Sequence, residues 1–236
     1  RYHNNNNNWK EFSDIDTTGA AEYSKVINTY VEIMNEFKAE QEINNEAMFN
    51  IGNIYKNRLN NKDSAIKYFT ELTNKYPYTN YAGKAFFELA DIEIQNDNLQ
   101  KAKEYLNKIK IFKRVSSDEL KQTDLLLAKI TFWQGDIENC IKQLGDITKD
   151  LNENAANDAI SLLVTINALR SDSLLLLKYA QAEMFANQKK FKAAADIYVE
   201  LSKNEDLFFL KDLSLYSYAK MSIAINDYAT SVKILE

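Results

Sequence analysis

The chain has 236 residues, a net charge of −5 and a pI of about 5.2, so it lacks the surplus of lysine and arginine that binding to nucleic acid requires. It contains five glycines and one proline, whereas sandwiches, barrels and βαβ folds need frequent turn residues, so an all-α chain is predicted. The single cysteine, Cys140, and the single histidine, His3, exclude an internal disulfide, a multi-thiolate metal site and a histidine-dependent triad formed by this chain alone.

The N-terminal part differs in composition from the rest of the chain. Residues 1–19 begin with the polar run RYHNNNNN, which cannot bury apolar surface, so they are predicted to form an irregular polar tail. From Ala20 onward apolar residues recur at helical spacing, which predicts one helix over residues 20–41. This helix is expected to lack a partner helix of its own repeat.

From residue 45 the sequence repeats a unit of helix, short polar turn and second helix. The predicted units cover about residues 45–80, 83–115, 121–152, 175–204 and 212–236. The hydrophobic residue after each turn is evenly spaced, except that the interval from Ile137 to Phe191 is longer. That interval holds the amphipathic stretch 154–170, which predicts one inserted helix. Residues 20–236 are therefore expected to form a single repeat domain.

Small residues recur at fixed places in these units. They stand in the middle of each first helix and early in each second helix: Gly52, Ala90, Ala128, Ala182 and Ala219, and Ala65, Ala102, Cys140, Ala194 and Ser231. A bulky residue lies four positions after the small residue of each second helix, at Phe69, Leu106, Leu144, Tyr198 and Leu235. Helices approach closely only where side chains are small, so these positions predict helix crossings.

This pattern resembles the tetratricopeptide repeat (TPR) family. The resemblance implies an all-α TPR-type α-solenoid of stacked antiparallel helix pairs in a right-handed superhelix, with one inserted helix between the third and fourth repeats. The only proline, Pro77, matches the residue that ends a TPR unit. Its fixed φ and missing N–H predict that the preceding helix stops at residues 75–76. Residues 74–81 are expected to form the tightest joint between repeats.

A narrower resemblance bears on the cellular setting. Within the family, the chain most resembles long bacterial envelope-associated TPR proteins, and the stretch YPYTNYAGKAFFELADIEIQNDNLQKAKEYL is also similar to periplasmic TPR proteins of the Tol-Pal system and to outer-membrane assembly lipoproteins. It favours the bacterial periplasm or cell envelope, with the cytoplasm as the alternative. The chain starts with Arg1 and ends inside an apparent helix, so we expect a processed chain or a fragment of something longer.

Motifs of catalysis are missing from the sequence. It contains no G-x-G-x-x-G, P-loop, G-x-S-x-G or H-E-x-x-H motif, so no enzyme activity, cofactor or metal is predicted. Apolar runs are too short to span a membrane, and the longest, SLLLLKYA, is interrupted by Lys178. The expected partner is a protein or peptide, within a larger bacterial protein or assembly, with no nucleic acid and no direct membrane insertion.

The resemblance implies a concave surface, lined by the first helix of each repeat, that holds this partner. The residues carried over to that surface are Phe49, Asn53, Lys56, Phe87, Asp91, Gln95, Lys129, Trp133, Tyr179, Glu183, Tyr216 and Lys220. Aromatic residues dominate interface energetics, but they could instead pack between adjacent repeats. A clamp for a C-terminal carboxylate is disfavoured, because Phe49 stands where the family places a lysine and Glu88 where it places an amide.

Two further functions stay open. The chain could be a purely structural segment of a long solenoid or an envelope complex, since it ends inside an apparent helix. An enzyme-accessory role is the remote alternative.

Overall fold

The computed structural model describes residues 19–111, 115–149, 154–204 and 208–235. Within these ranges it contains twelve α-helices and no strand, and helices that follow one another in the chain pack in pairs. The predicted all-α helical-repeat fold is therefore confirmed. The predicted tail, apart from Gly19, lies outside the described residues. The chain divides into two compact units, residues 1–116 and 117–236.

Five helices make up the described part of the first unit. They are α1 (Ala20–Glu36), α2 (Gln41–Asn57), α3 (Lys62–Lys75), α4 (Asn80–Gln95) and α5 (Leu99–Ile109). Each of the first four packs against the next in the chain, and α2 also packs against α4. The helix predicted over residues 20–41 ends earlier, at Glu36. Asn44 explains part of this break, because its side-chain amide donates hydrogen bonds to the carbonyls of Phe37 (2.9 Å) and Glu40 (2.7 Å).

Seven helices make up the described part of the second unit. They are α6 (Ser117–Trp133), α7 (Ile137–Ile147), α8 (Asn154–Leu169), α9 (Ser173–Asn187), α10 (Phe191–Leu201), α11 (Phe208–Ala224) and α12 (Tyr228–Leu235). Helix α8 occupies the stretch in which an inserted helix was expected, and it packs against α6, α7 and α9. Helices α6 and α9 also pack against each other, so α8 is an additional helix that contacts both of them.

Helix crossings lie at the small residues that the sequence indicated. All ten of those positions are buried, including Gly52, Ala128 and Cys140. A methyl group at Gly52 would lie 2.5 Å from Cε1 of Phe69, so α2 and α3 could not approach as closely with any larger residue. The bulky positions are also buried, except Leu235, which is 61% exposed in the last turn of α12.

The turn within each helix pair has the same backbone geometry. One residue with positive φ, between 46° and 81°, lies two positions before each second helix, at Asn60, Asp97, Gly135, Lys189 and Asn226. In four of the turns the next N–H donates to a carbonyl five residues back, as Asn98 does to Glu93 at 2.8 Å. This bond and the left-handed residue are the features of a Schellman cap.

The connection between α3 and α4 carries Pro77. Helix α3 ends at Lys75, as the proline predicted. Helix α4 begins at Asn80 after Thr79, whose hydroxyl accepts a hydrogen bond from the N–H of Ala82 at 3.3 Å. The chain thus passes from one helix pair to the next in four residues, which fixes the spacing between α2 and α4.

Candidate binding surface

The first unit brings six of the predicted site residues onto one pair of helices. Phe49, Asn53 and Lys56 lie on α2, and Phe87, Asp91 and Gln95 lie on α4. Spacings of three and four residues place each set on one face of its helix. Because α2 and α4 pack against each other, we call these six residues, with Glu88, the α2/α4 surface.

Lys56 joins the two helices of this surface. Its ammonium group forms ion pairs with the carboxylates of both Glu88 and Asp91, and its side chain is only 8% exposed. Burial alone would lower the pKa of Lys56, but the charges of Asp91 and Glu88 outweigh burial and raise it. Gln95 donates a further hydrogen bond to Asp91 at 2.8 Å. Lys56 is therefore held by two carboxylates, which leave the surface with an excess of negative charge.

Glu88 is not among the residues that the sequence predicted for the site. It entered the prediction only as a mismatch to a carboxylate clamp, although it lies one helical turn before Asp91. That spacing was the available signal, because residues three apart on a helix share a face.

The apolar and amide groups of this surface are half-buried. The ring of Phe49 lies 5.8 Å from that of Phe69 and 5.6 Å from that of Tyr81, so this residue packs between adjacent repeats. Phe87 and Asn53 are partly exposed. The side-chain oxygen of Asn53 is buried and accepts no hydrogen bond. A buried acceptor without a donor costs about 1–3 kcal/mol, so a donor supplied by a ligand would be favoured here.

In the second unit the predicted site residues differ in exposure. Trp133 and Tyr179 are 9% and 5% exposed, so little of either side chain could contact a partner. Tyr179 packs its ring 6.4 Å from Phe132 and 6.1 Å from Tyr198, and its hydroxyl bonds with Glu183 and with Thr165 of α8. The added helix α8 thus helps to cover Tyr179.

The remaining predicted residues of this unit are more accessible. Lys129 and Glu183 are half-buried, and Tyr216 and Lys220 are exposed. The Lys220 ammonium lies 5.5 Å from the centre of the Tyr216 ring. These two residues form a small exposed pair on α11.

The ionisable side chains of Tyr179 and Cys140 in this unit are held in their neutral form. Burial, followed by the Glu183 charge, raises the pKa of Tyr179 well above its ordinary value. Burial, followed by the Asp136 charge, raises the pKa of Cys140 to about 12, so this thiol stays protonated at neutral pH. Neither group is placed to act as a nucleophile or base.

The described residues offer neither a cluster of metal ligands nor a membrane-spanning helix. Residues 19–111, 115–149, 154–204 and 208–235 hold no group of three or more histidine, cysteine, aspartate or glutamate side chains that could ligate a metal ion. Among the helices described, none is both long and apolar enough to cross a membrane.

Comparison with known proteins identifies the family. A family model described as tetratricopeptide repeat-like domain matches residues 8–165, more than half of the 236-residue chain. The match extends from before α1 into α8, whereas α9 to α12 lie outside it. No curated protein and no solved structure gives a significant match. Domains of this type are typically non-catalytic scaffolds that bind proteins or peptides. The chain belongs to the tetratricopeptide repeat-like domain family.

Proposed function

We propose that the protein is an interaction scaffold that holds a peptide or protein segment on the α2/α4 surface. The observation that carries this proposal is the unsatisfied side-chain oxygen of Asn53, which lies on the same surface as the partly exposed Phe87 ring. An apolar side chain of the segment would pack on Phe87. A donor, such as a backbone N–H, would bond to Asn53.

The charges of the surface indicate what kind of segment fits. Two carboxylates, Glu88 and Asp91, face one ammonium group, that of Lys56. Both carboxylates keep about a quarter of their side-chain area exposed, at 24% and 30%. A neutral or basic segment would therefore be favoured over an acidic one.

A quantitative capture experiment tests this function. Proteins retained by the wild-type chain from an extract would be compared with those retained by Phe87→Ala and Asn53→Ala variants. Phe208→Ala is the matched control, because Phe208 is an aromatic residue that is 75% exposed on α11. Partners specific to the α2/α4 surface should be lost with the first two variants and kept with the control, and direct titration with the purified partner should reproduce the difference. Equal retention by all variants would show that this surface does not hold the partner.

A structural role in a larger assembly is the second candidate. It is supported by apolar side chains on α12 that remain exposed, namely Tyr228 (58%), Val232 (57%) and Leu235 (61%). Exposed apolar groups clustered on one helix are typical of association surfaces. Val232→Glu would abolish an assembly built on this helix, as measured by sedimentation of the protein together with its captured partners. Unchanged sedimentation would remove the support for this candidate.

The bacterial envelope remains the proposed setting. It is supported by the resemblance of residues 76–106 to envelope-associated TPR proteins. Fractionation of cells that produce the protein from its natural gene would test it, because recovery with cytoplasmic markers alone would contradict an envelope location.

A further inference from the structure

A cavity lies in the first unit where α2 and α4 begin. It is lined by Gln41, Glu42, Asn45 and Glu46 of α2, and by Tyr78, Thr79, Asn80 and Tyr81 at the start of α4. We call it the acidic cavity. Its volume is about 600 Å³, which is within the range of sites that enclose a side chain or a small ligand.

Negative charge dominates the lining. Glu42 and Glu46 are exposed and one helical turn apart, and none of the eight lining residues is a lysine or an arginine. The start of a helix carries partial positive charge, which opposes a bound cation. In α2 this charge is offset by Glu42, which lies in the first turn; the first turn of α4 holds no acidic residue, but the full charges of Glu42 and Glu46 exceed the partial charge at its start. The cavity therefore favours a cation over an anion.

Asn45 is an independent sign of a ligand. This residue lines the cavity and is only 1% exposed, yet its side-chain oxygen accepts no hydrogen bond. Nearly all buried polar side chains in proteins have a partner, and an unpaired acceptor is costly. A ligand with N–H groups would supply the missing donor.

Tyrosine rings complete the site. The Lys84 ammonium lies 5.4 Å from the centre of the Tyr81 ring, so a tyrosine at this rim already makes a cation–π contact within the protein itself. Burial and the adjacent Glu46 carboxylate, to which the Tyr81 hydroxyl hydrogen-bonds, raise the pKa of Tyr81. Tyr78 is 79% exposed and offers a second ring.

Local hydrogen bonds hold the walls in place. The Asn44 side chain ties the start of α2 to the carbonyls of the preceding turn, and Thr79 caps the start of α4. A site whose walls are already ordered loses less entropy when a ligand binds.

We propose that the acidic cavity binds a basic side chain of a protein partner, arginine in preference to lysine. A guanidinium group has five donors in one plane, which can serve Glu42, Glu46 and Asn45 together while its face stacks on a tyrosine. An ammonium group has three donors and no such plane. The inference rests on the proposed function, since the rest of the same partner segment would lie on the neighbouring α2/α4 surface.

The direct test uses small probes that need no other part of the protein. Nα-acetyl-arginine methylamide would be titrated into the isotope-labelled full chain while backbone amide resonances are followed by NMR. We expect millimolar binding with shifts at residues 41–46 and 78–81, weaker binding of the lysine derivative, and no binding of the citrulline derivative. Citrulline has nearly the shape of arginine without its charge. Equal binding of arginine and citrulline, or shifts located elsewhere, would overturn the proposal.

Variants of the two carboxylates sharpen the result. The Glu42→Gln, Glu46→Gln double variant should bind the arginine probe about tenfold more weakly, because it loses charge-assisted hydrogen bonds. Both residues are exposed, so the fold should be kept, which circular dichroism would check. Glu104→Gln, an exposed change on α5 with the same loss of charge, should bind like the wild type. If Glu104→Gln weakened binding of the arginine probe equally, the effect would come from the overall charge of the protein, which would contradict a specific site.

These measurements separate the cavity from the proposed function. Phe87→Ala removes the ring on the α2/α4 surface but leaves the cavity lining unchanged, so it should weaken a captured partner without affecting the arginine probe. If the probe binds and no partner depends on Phe87, the scaffold proposal fails while the cavity stands. If partners depend on Phe87 and the probe does not bind, the cavity proposal fails alone.

Discussion

The two units of this protein use the same helix-crossing residues but expose different parts of the equivalent helices. In the first unit, Phe87 of α4 is partly exposed beside the carboxylates of Glu88 and Asp91. In the second, Tyr179 of α9 comes from the same repeat register and is buried, and so is Trp133 of α6, which stands in the register of Gln95. A shared register therefore places residues on the same face of the helix without deciding whether solvent reaches them.

The added helix α8 accounts for part of this difference. It packs against both α6 and α9, and its Thr165 hydrogen-bonds with Tyr179. In the first unit α2 and α4 pack against each other, and polar side chains span the contact between them. Where an extra helix lies against the first helices, aromatic residues become core, and where none does they can contact a partner.

The largest expected difference between the units is in the cost of removing an aromatic ring. Tyr179→Ala should destabilise the protein by about 3–5 kcal/mol, because it opens a cavity among buried rings. Phe87→Ala should cost about 1 kcal/mol, since that ring is already partly in water. Urea unfolding followed by circular dichroism would measure both. Equal costs would mean that the two rings are not differently buried.

Loss of the cation between α2 and α4 should have the next largest effect. Lys56→Met leaves Glu88 and Asp91 without their partner, which should cost about 2–3 kcal/mol, below the cost of a fully buried pair because both carboxylates are partly exposed. The folded pKa of Lys56 lies above 10.5, so its contribution is complete below that pH and is lost as the pH rises through the raised value.

Unfolding measured across pH would check this sign. The gap in stability between wild type and Lys56→Met should be constant from neutral pH to about 10 and narrow at higher pH. Tyrosine ionisation affects both proteins and cancels in the difference. A gap that is already absent at neutral pH would show that the ion pairs do not hold α2 to α4.

Alanine substitutions at two glycines, one in each unit, compare how closely the helices pack there. Gly52→Ala would force a methyl group against the Phe69 ring, so it should destabilise the protein by about 2 kcal/mol despite the better helix propensity of alanine. Gly145→Ala on α7 meets no atom within 4 Å and should stabilise the protein by about 0.5–1 kcal/mol. Thermal unfolding of both variants would test this, and a shift of the same sign in both would contradict the close crossing at Gly52.

The smallest expected effect concerns the turns within helix pairs. Lys189 has φ of 60° where Gly135 stands in the equivalent turn, and a side chain with a β-carbon is strained in that conformation. Lys189→Gly should therefore raise stability by about 0.5–1 kcal/mol, while Gly135→Ala should lower it by about 1 kcal/mol. Urea denaturation midpoints would detect both shifts. Destabilisation by Lys189→Gly would show that its side chain contributes more than the strain costs.

Several features of the structure followed from the sequence because they depend on neighbouring residues. Apolar spacing identified the helices, Pro77 fixed the end of α3 at Lys75, and small residues marked the helix crossings. The predicted end of α1, at residue 41, was wrong, because α1 ends at Glu36. The Asn44 side chain bonds to carbonyls that a continuing helix would have used. Such a side-chain cap competes with the periodic pattern that suggested a longer helix.

The sequence by itself determined the family, the helical repeat and the face of each helix on which the candidate residues lie. Only the tertiary structure decided which of those residues solvent can reach. It enclosed Lys56 between Glu88 and Asp91, and it buried Tyr179 among rings that are distant in the chain. The physical reason is that helix register depends on local spacing, whereas burial and charge pairing depend on which other helix packs against that face.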